Sequence, residues 1–105
     1  MISVVLLGAG NVGTHLYKAF TKAGDITVLQ WYNRDLSGMQ IYKNDVSLID
    51  SLSDIQDADL YVLAVSNDAI AELSMQLPFE NRMVVHTSGS VNIRDLDKKH
   101  QRGVF

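Results

Sequence analysis

An apolar run, Ile2-Ser3-Val4-Val5-Leu6-Leu7, breaks at Gly8-Ala9-Gly10-Asn11-Val12-Gly13, and a segment with helical spacing comes directly after it. Few architectures accommodate that succession. The strand must stop, the chain must reverse sharply, and the helix must lie back across the strand it has just left. Gly8 permits the sharp turn, Gly13 lets the helix pack closely, and Gly10 keeps the backbone open to a bulky anionic group. Three glycines at this spacing also arise by chance. Here the turn sits between strand and helix, with a second β-rich run about 20 residues on, which is the setting that a dinucleotide-binding fingerprint requires. The start of the helix adds unpaired N–H groups and the positive end of its dipole. A glycine-rich turn with no ligand is the plainer alternative, and the setting favours the ligand.

The rest of the chain keeps the same alternation. Asn11 to Ala23 carries an apolar stripe at Val12, Leu16, Ala19, Phe20 and Ala23, with Lys18 and Lys22 facing away and Gly24 as a C-terminal stop. Ile26 to Tyr32 reads as the second strand, Leu36 to Tyr42 as a short irregular helix, and Val46 to Ile49 as a short third strand. Ser51 to Ala58 reads as one helical turn or a loop. Leu60 to Val65 is again fully apolar, as expected of a parallel strand covered on both faces. Ser66-Asn67-Asp68 offers three N-cap residue types ahead of Ile70, Leu73 and Leu77, and Pro78 blocks continuation. Met83 to His86 is the next strand, and Asn92 and Asp95 are spaced to start a short helix. Arg102 to Phe105 enters a further strand. The expected fold is an α/β Rossmann-type parallel sheet in the order 3-2-1-4-5, with a sixth strand starting at the C-terminus and helices on both faces. The strands at Ile2 and Leu60 then meet at the switch point, where ligands bind outside the carboxyl ends.

At 105 residues, 47% of them hydrophobic, the chain is long enough for one domain, 1–105, that buries about 65% of its unfolded surface. With no cysteine, disulfides, thiolate catalysis and cysteine-based metal sites are excluded. A net charge of −3 and the lack of a basic cluster beyond Lys98-Lys99 argue against nucleic acid and anionic membranes as partners. No apolar run approaches the ~20 residues of a membrane span, and the expected location is the cytoplasm. His15, His86 and His100 are too scattered for ligand spacing, so no metal is expected. No G-x-S-x-G elbow supports a hydrolase.

The end of the second strand bears on which nucleotide would fit. A carboxylate there marks NAD, because it accepts hydrogen bonds from the ribose hydroxyls. This chain places Asn33 and Arg34 at that point, with Asp35 one residue further on. Arg34 can pair with a 2′-phosphate that a carboxylate would repel, which favours NADP over NAD. The competing reading is an ordinary polar turn with Arg34 solvated. Ser66 and Asn67 lie where a nicotinamide ribose would pass, although helix capping alone would account for them. His86, Thr87 and Ser88 close the neighbouring strand. A lone histidine at a strand end is more often structural than an acid or base, and the catalytic residues stay unassigned.

With the fingerprint, the Asn33-Arg34 ending, Leu60 to Asn67 and Val84 to Val91 (V-V-H-T-S-G-S-V) taken together, the chain resembles a known group. It is similar to the N-terminal Rossmann-like domain of NADP-dependent oxidoreductases related to pyrroline-5-carboxylate reductase and the coenzyme F420-dependent NADP oxidoreductases, and most of all to a bacterial subfamily of them. The similarity includes the segment Gly103-Val104-Phe105 and spans nearly the whole chain. The glycine turn is generic to dinucleotide binders; the His-Thr-Ser-Gly stretch is more specific. The resemblance implies NADP as cofactor, with Gly8, Gly10, Asn11, Val12 and Gly13 forming the phosphate turn and pyrophosphate contacts on Gly10, Asn11 and Val12. It implies 2′-phosphate contacts on Asn33 and Arg34, and nicotinamide-side contacts on Ala64, Val65, Ser66, Thr87, Ser88 and Gly89. It further implies a helical C-terminal domain, expected past Phe105, that supplies dimerisation and the pocket for an unidentified small-molecule substrate. On that expectation the isolated chain is inactive and self-associates through apolar surface near Val104 and Phe105. The alternatives are a non-catalytic NADP(H)-binding sensor or subunit, and an interaction domain with an empty site.

Overall fold

The structure, a computed structural model, describes residues 2–77, 83–87 and 101–104. Its strands are β1 (Ile2–Leu7), β2 (Ile26–Tyr32), β3 (Ser47–Ile49), β4 (Leu60–Leu63), β5 (Met83–His86) and β6 (Gln101–Val104). They form one sheet in the order β3-β2-β1-β4-β5-β6, and every neighbouring pair is parallel. This is the Rossmann-type order expected from the alternation of apolar runs, with a sixth strand at the edge. Among the described residues two α-helices, α1 (Asn11–Lys22) and α2 (Asn67–Gln76), cross over between strands. The segment 36–42 contains a 3-10 helix, Ser37–Tyr42, and the segment 51–58 a single 3-10 turn, Leu52–Asp54. The short helix expected around Asn92 and Asp95 lies outside the described residues, as do Pro78, His100 and Phe105.

Strand alternation divides the core between the two faces. Val4 and Leu6 of β1, Val62 of β4 and Val85 of β5 pack with Tyr17 and Phe20 of α1. Val5 and Leu7, Tyr61 and Leu63, and Val84 pack with Ile70, Leu73 and Leu77 on the α2 side. Both faces of the central strands are therefore buried, which is why β1 and β4 read as continuous apolar runs.

One irregularity decides which face each residue of β2 takes. Val4 pairs with Val28 but Val5 pairs with Gln30, leaving Leu29 as an extra residue in β2. A bulge shifts the alternation by one position. Val28 and Trp31 consequently lie on the α1 face, while Leu29 and Tyr32 pack on the α2 face. Gln30 is buried, its amide nitrogen donating to the Asp54 carbonyl (2.9 Å) and its amide oxygen accepting from the Gln56 N–H (2.8 Å).

The buried face of α1 departs from the expected stripe. Gly13, Tyr17 and Phe20 are buried, whereas Val12 and Ala19 are exposed. Gly13 has no side chain and draws the helix onto the sheet, so the contact line runs through it rather than through Val12. α1 stops just ahead of Gly24, the expected C-terminal stop. Ala23 adopts extended geometry, and its N–H donates to the Phe20 carbonyl at 3.2 Å.

Candidate functional site

At the carboxyl ends of β1 and β4 the chain leaves the sheet on both strands at once. The Ala64 N–H donates to the Leu7 carbonyl (2.7 Å), and the Gly8 N–H donates to the Tyr32 carbonyl (2.8 Å), tying three strand ends together. Gly8 adopts a φ of +110°, and a Cβ there would collide with the Ala64 carbonyl. A Cβ on Gly13 would collide with the Gly8 carbonyl and meet the Ala64 Cβ at 3.7 Å. These two glycines are needed for backbone conformation and packing. Gly10 differs. Its φ of −73° and ψ of −165° suit any residue, and a Cβ there would meet nothing within 4 Å.

A crevice of about 620 Å³ opens above these strand ends, within the usual size range of small-molecule sites. Of the residues expected at the site, it is lined by Gly8, Gly10, Asn11, Val12, Asn33, Arg34, Ala64, Val65, Ser66 and Thr87. Gly13 packs beneath the turn instead of lining it. Ser88 and Gly89 lie outside the described residues. Four lining residues were not anticipated: Ala9, Tyr32, Ala69 and Leu73. Ala69 and Leu73 sit one helical turn apart on α2, and Leu73 serves both core and crevice. Only knowledge of how α2 leans over the sheet could have added them.

The start of α1 faces this space without a side-chain cap. Gly10 occupies the N-cap, and no acidic residue lies in the first turn. The Thr14 N–H bonds the Gly10 carbonyl at 2.9 Å, so the donors before it belong to the unsatisfied first turn. Ser66, the N-cap of α2, makes no capping hydrogen bond with its side chain. The capping role that would have sufficed for it is therefore not how the hydroxyl is used. Across the crevice, Asn33 is held by β3 and by its own turn, its N–H donating to the Ile49 carbonyl (3.1 Å) and its amide nitrogen to the Asp35 carbonyl (2.7 Å). Asp35 accepts from the Ser37 N–H at 2.9 Å, which holds its carboxyl below the ordinary value. That carboxylate does not line the crevice, and Arg34 is the one charged side chain among the described residues that does.

His86 is fully buried and is not a crevice residue. His15 is exposed and lines a smaller hollow on the outer side of Gly10, with Thr14 and Lys18. Among the described residues no group of three or more His, Cys, Asp or Glu is placed to hold a metal ion, and no helix is long and apolar enough to cross a membrane.

The family model described as NADP oxidoreductase, coenzyme F420-dependent, matches residues 3–89, which carry the glycine turn, both switch-point strands and β5. The chain belongs to this family. Among solved structures it is similar to a Bacteroides fragilis protein named as a candidate NADP oxidoreductase, with 28% identity and a TM-score of 0.83. That match covers 99% of this chain and 43% of the other. It is also similar in fold to the WlbA dehydrogenase of Bordetella pertussis, solved with NADH and UDP-GlcNAcA, at 21% identity and a TM-score of 0.74. A scyllo-inositol dehydrogenase of Lactobacillus casei shares the fold at 12% identity and a TM-score of 0.68. Each of these two matches covers 90% of this chain and 31% of the other. The chain thus spans less than half the length of the solved proteins that it resembles. No curated protein matches it. The family and the fold make this a Rossmann domain of the pyridine-nucleotide oxidoreductases.

Proposed function

We infer that the crevice binds NADP(H) and that the domain presents the nicotinamide for hydride transfer to or from a carbonyl or imine carbon. The observation that carries this reading is Gly10. Neither its dihedral angles nor its neighbours require glycine, yet it stands at the uncapped start of α1 and faces open space. The missing side chain leaves room for a pyrophosphate against the N–H groups of α1. Asn11 and Val12 continue that edge, and the apolar group Val65, Ala69 and Leu73 offers a surface for a ring. When bound, the nicotinamide supplies the hydride chemistry, and the residues of this chain bind, orient and exclude water. Thr87, Ser66 and Ala64, at the ends of β5 and β4, would border the nicotinamide side. The substrate wall is proposed to come from sequence beyond these 105 residues, and the working location to be the cytoplasm.

NADP is favoured over NAD because Arg34 lines the crevice while Asp35 is turned to Ser37. A charge-assisted bond to the 2′-phosphate is worth about 1.5–3 kcal/mol, roughly tenfold to a hundredfold in affinity. Calorimetric titration of NADPH and NADH should show that preference, and Arg34→Asp should erase it while leaving NADH binding near its original strength. Equal affinity for both nucleotides in the unmodified chain would refute the NADP assignment. Failure of both to bind would refute the dinucleotide site itself.

A further inference from the structure

The geometry points to Trp31 as a positioning residue that holds the phosphate turn in its binding shape. This inference rests on reading the crevice as a dinucleotide site. Trp31 is the only tryptophan of the chain and is fully buried. Its ring stacks on Tyr17 at 4.4 Å and 14°, and lies against Tyr42 at 5.1 Å and 49°. Aromatic packing accounts for the burial. It does not account for the direction of the indole N–H, which donates to the Gly8 carbonyl at 2.7 Å.

That bond completes a clamp. The Gly8 N–H is held by the Tyr32 carbonyl at 2.8 Å, so two successive residues of β2 grip the two polar groups of one glycine. Gly8, at a φ of +110°, holds a backbone conformation open mainly to glycine, and a glycine has no side chain of its own to fix its peptide plane. In a planar trans peptide the C=O and the following N–H point in opposite directions. With the Gly8 carbonyl fixed on the indole, the Ala9 N–H points away from it, and Ala9 is a wall of the crevice. The same strand continues directly into Asn33 and Arg34. The phosphate turn and the ribose end of the site are therefore linked directly through β2. Only the bulge at Leu29 brings the indole to the face where it can reach Gly8.

The pyrophosphate is common to NADP(H) and NAD(H), so losing the clamp should weaken both by the same factor, unlike a change at Arg34. The test compares Trp31→Phe, which keeps a ring against Tyr17 and Tyr42 but removes the donor, with Val46→Ala. Val46 is buried in the same cluster without a hydrogen bond to Gly8. Trp31→Phe should raise the dissociation constants of NADPH and NADH alike, by about five- to twentyfold, with their ratio unchanged. Val46→Ala should lower the thermal midpoint while NADPH affinity stays within about twofold. If Trp31→Phe does not fold, the single indole N–H resonance of the unmodified chain decides, since it should shift and gain exchange protection on saturation with NADP+. Normal affinity in Trp31→Phe, an equal loss in Val46→Ala, or an indole resonance that ignores nucleotide would each overturn the inference while leaving the site intact. An unmodified chain that binds neither nucleotide would overturn both.

Discussion

Two of the three glycines in the turn are required by the protein itself, and one is not. Gly8→Ala would place a methyl group on the Ala64 carbonyl at a φ that L-residues rarely adopt. Strain and overpacking together should lower stability by about 2–4 kcal/mol, measured by urea unfolding. Gly10→Val has no such conflict, because the backbone is already in a common conformation and the Cβ direction is open. Its cost should not exceed about 1 kcal/mol, the difference between glycine and valine at an N-cap. Nucleotide binding should nevertheless be lost, since the branched side chain fills the space proposed for the pyrophosphate. A Gly10→Val variant with native circular dichroism and unchanged NADPH affinity would show that the open space at Gly10 has no part in binding.

At the scale of the element, periodicity and turn chemistry carry much, and register carries the rest. The boundaries of β2 were legible because Ile26 to Tyr32 is β-rich from end to end. The bulge at Leu29 was not, because nothing local distinguishes that leucine from its neighbours, and a bulge is a property of two strands pairing. Trp31 was missed as a functional residue for the same reason. Along α1, hydrophobicity alone marks Val12 and Ala19 and passes over Tyr17, which is buried by stacking on a residue of another element. Most of the crevice was legible, since glycine turns and strand ends are local signals. Tyr32, Ala69 and Leu73 were not, because their place depends on how β2 and α2 approach one another. Polar ties between elements should be measurable in the same terms. The Tyr61 hydroxyl accepts from the buried Ala58 N–H (3.0 Å) and donates to the Gln56 carbonyl (2.8 Å). Tyr61→Phe strands both groups and should cost about 1–3 kcal/mol, seen as a lower urea midpoint with unchanged slope.

Across the whole molecule the two ends of the sheet are used differently. The carboxyl ends diverge into the glycine turn, the crevice and the Asn33-Arg34 corner, beside the uncapped start of α1. At the amino ends the switch-point strands are stitched shut. Ser3, in β1, donates to the Asp59 carboxylate through its N–H (2.9 Å) and its hydroxyl (3.0 Å), and the Asp59 N–H, just before β4, donates back to the Ser3 hydroxyl (2.9 Å). The backbone and side-chain bonds from Ser3, in that order, hold the Asp59 carboxyl below its ordinary value of 3.8. A depressed carboxylate binds its proton more weakly in the folded chain than in the unfolded one. Its contribution to stability is therefore fully present above the unfolded value and is lost as pH falls through the folded value, below 3.8. The group is fully exposed, so the effect should be modest and weakened by salt. Thermal unfolding of the unmodified chain and of Asp59→Asn, followed from about pH 7 to about pH 2, should show the variant melting lower by a constant margin above about pH 5. That margin should close at the acid end, where protonation has already removed the carboxylate. The ratio of NADPH to NADH affinity should be the same in both proteins at neutral pH, because the stitch lies at the opposite end of the strands from Arg34. A melting difference that persists unchanged into acid would show that the Asp59 charge does not hold β1 to β4.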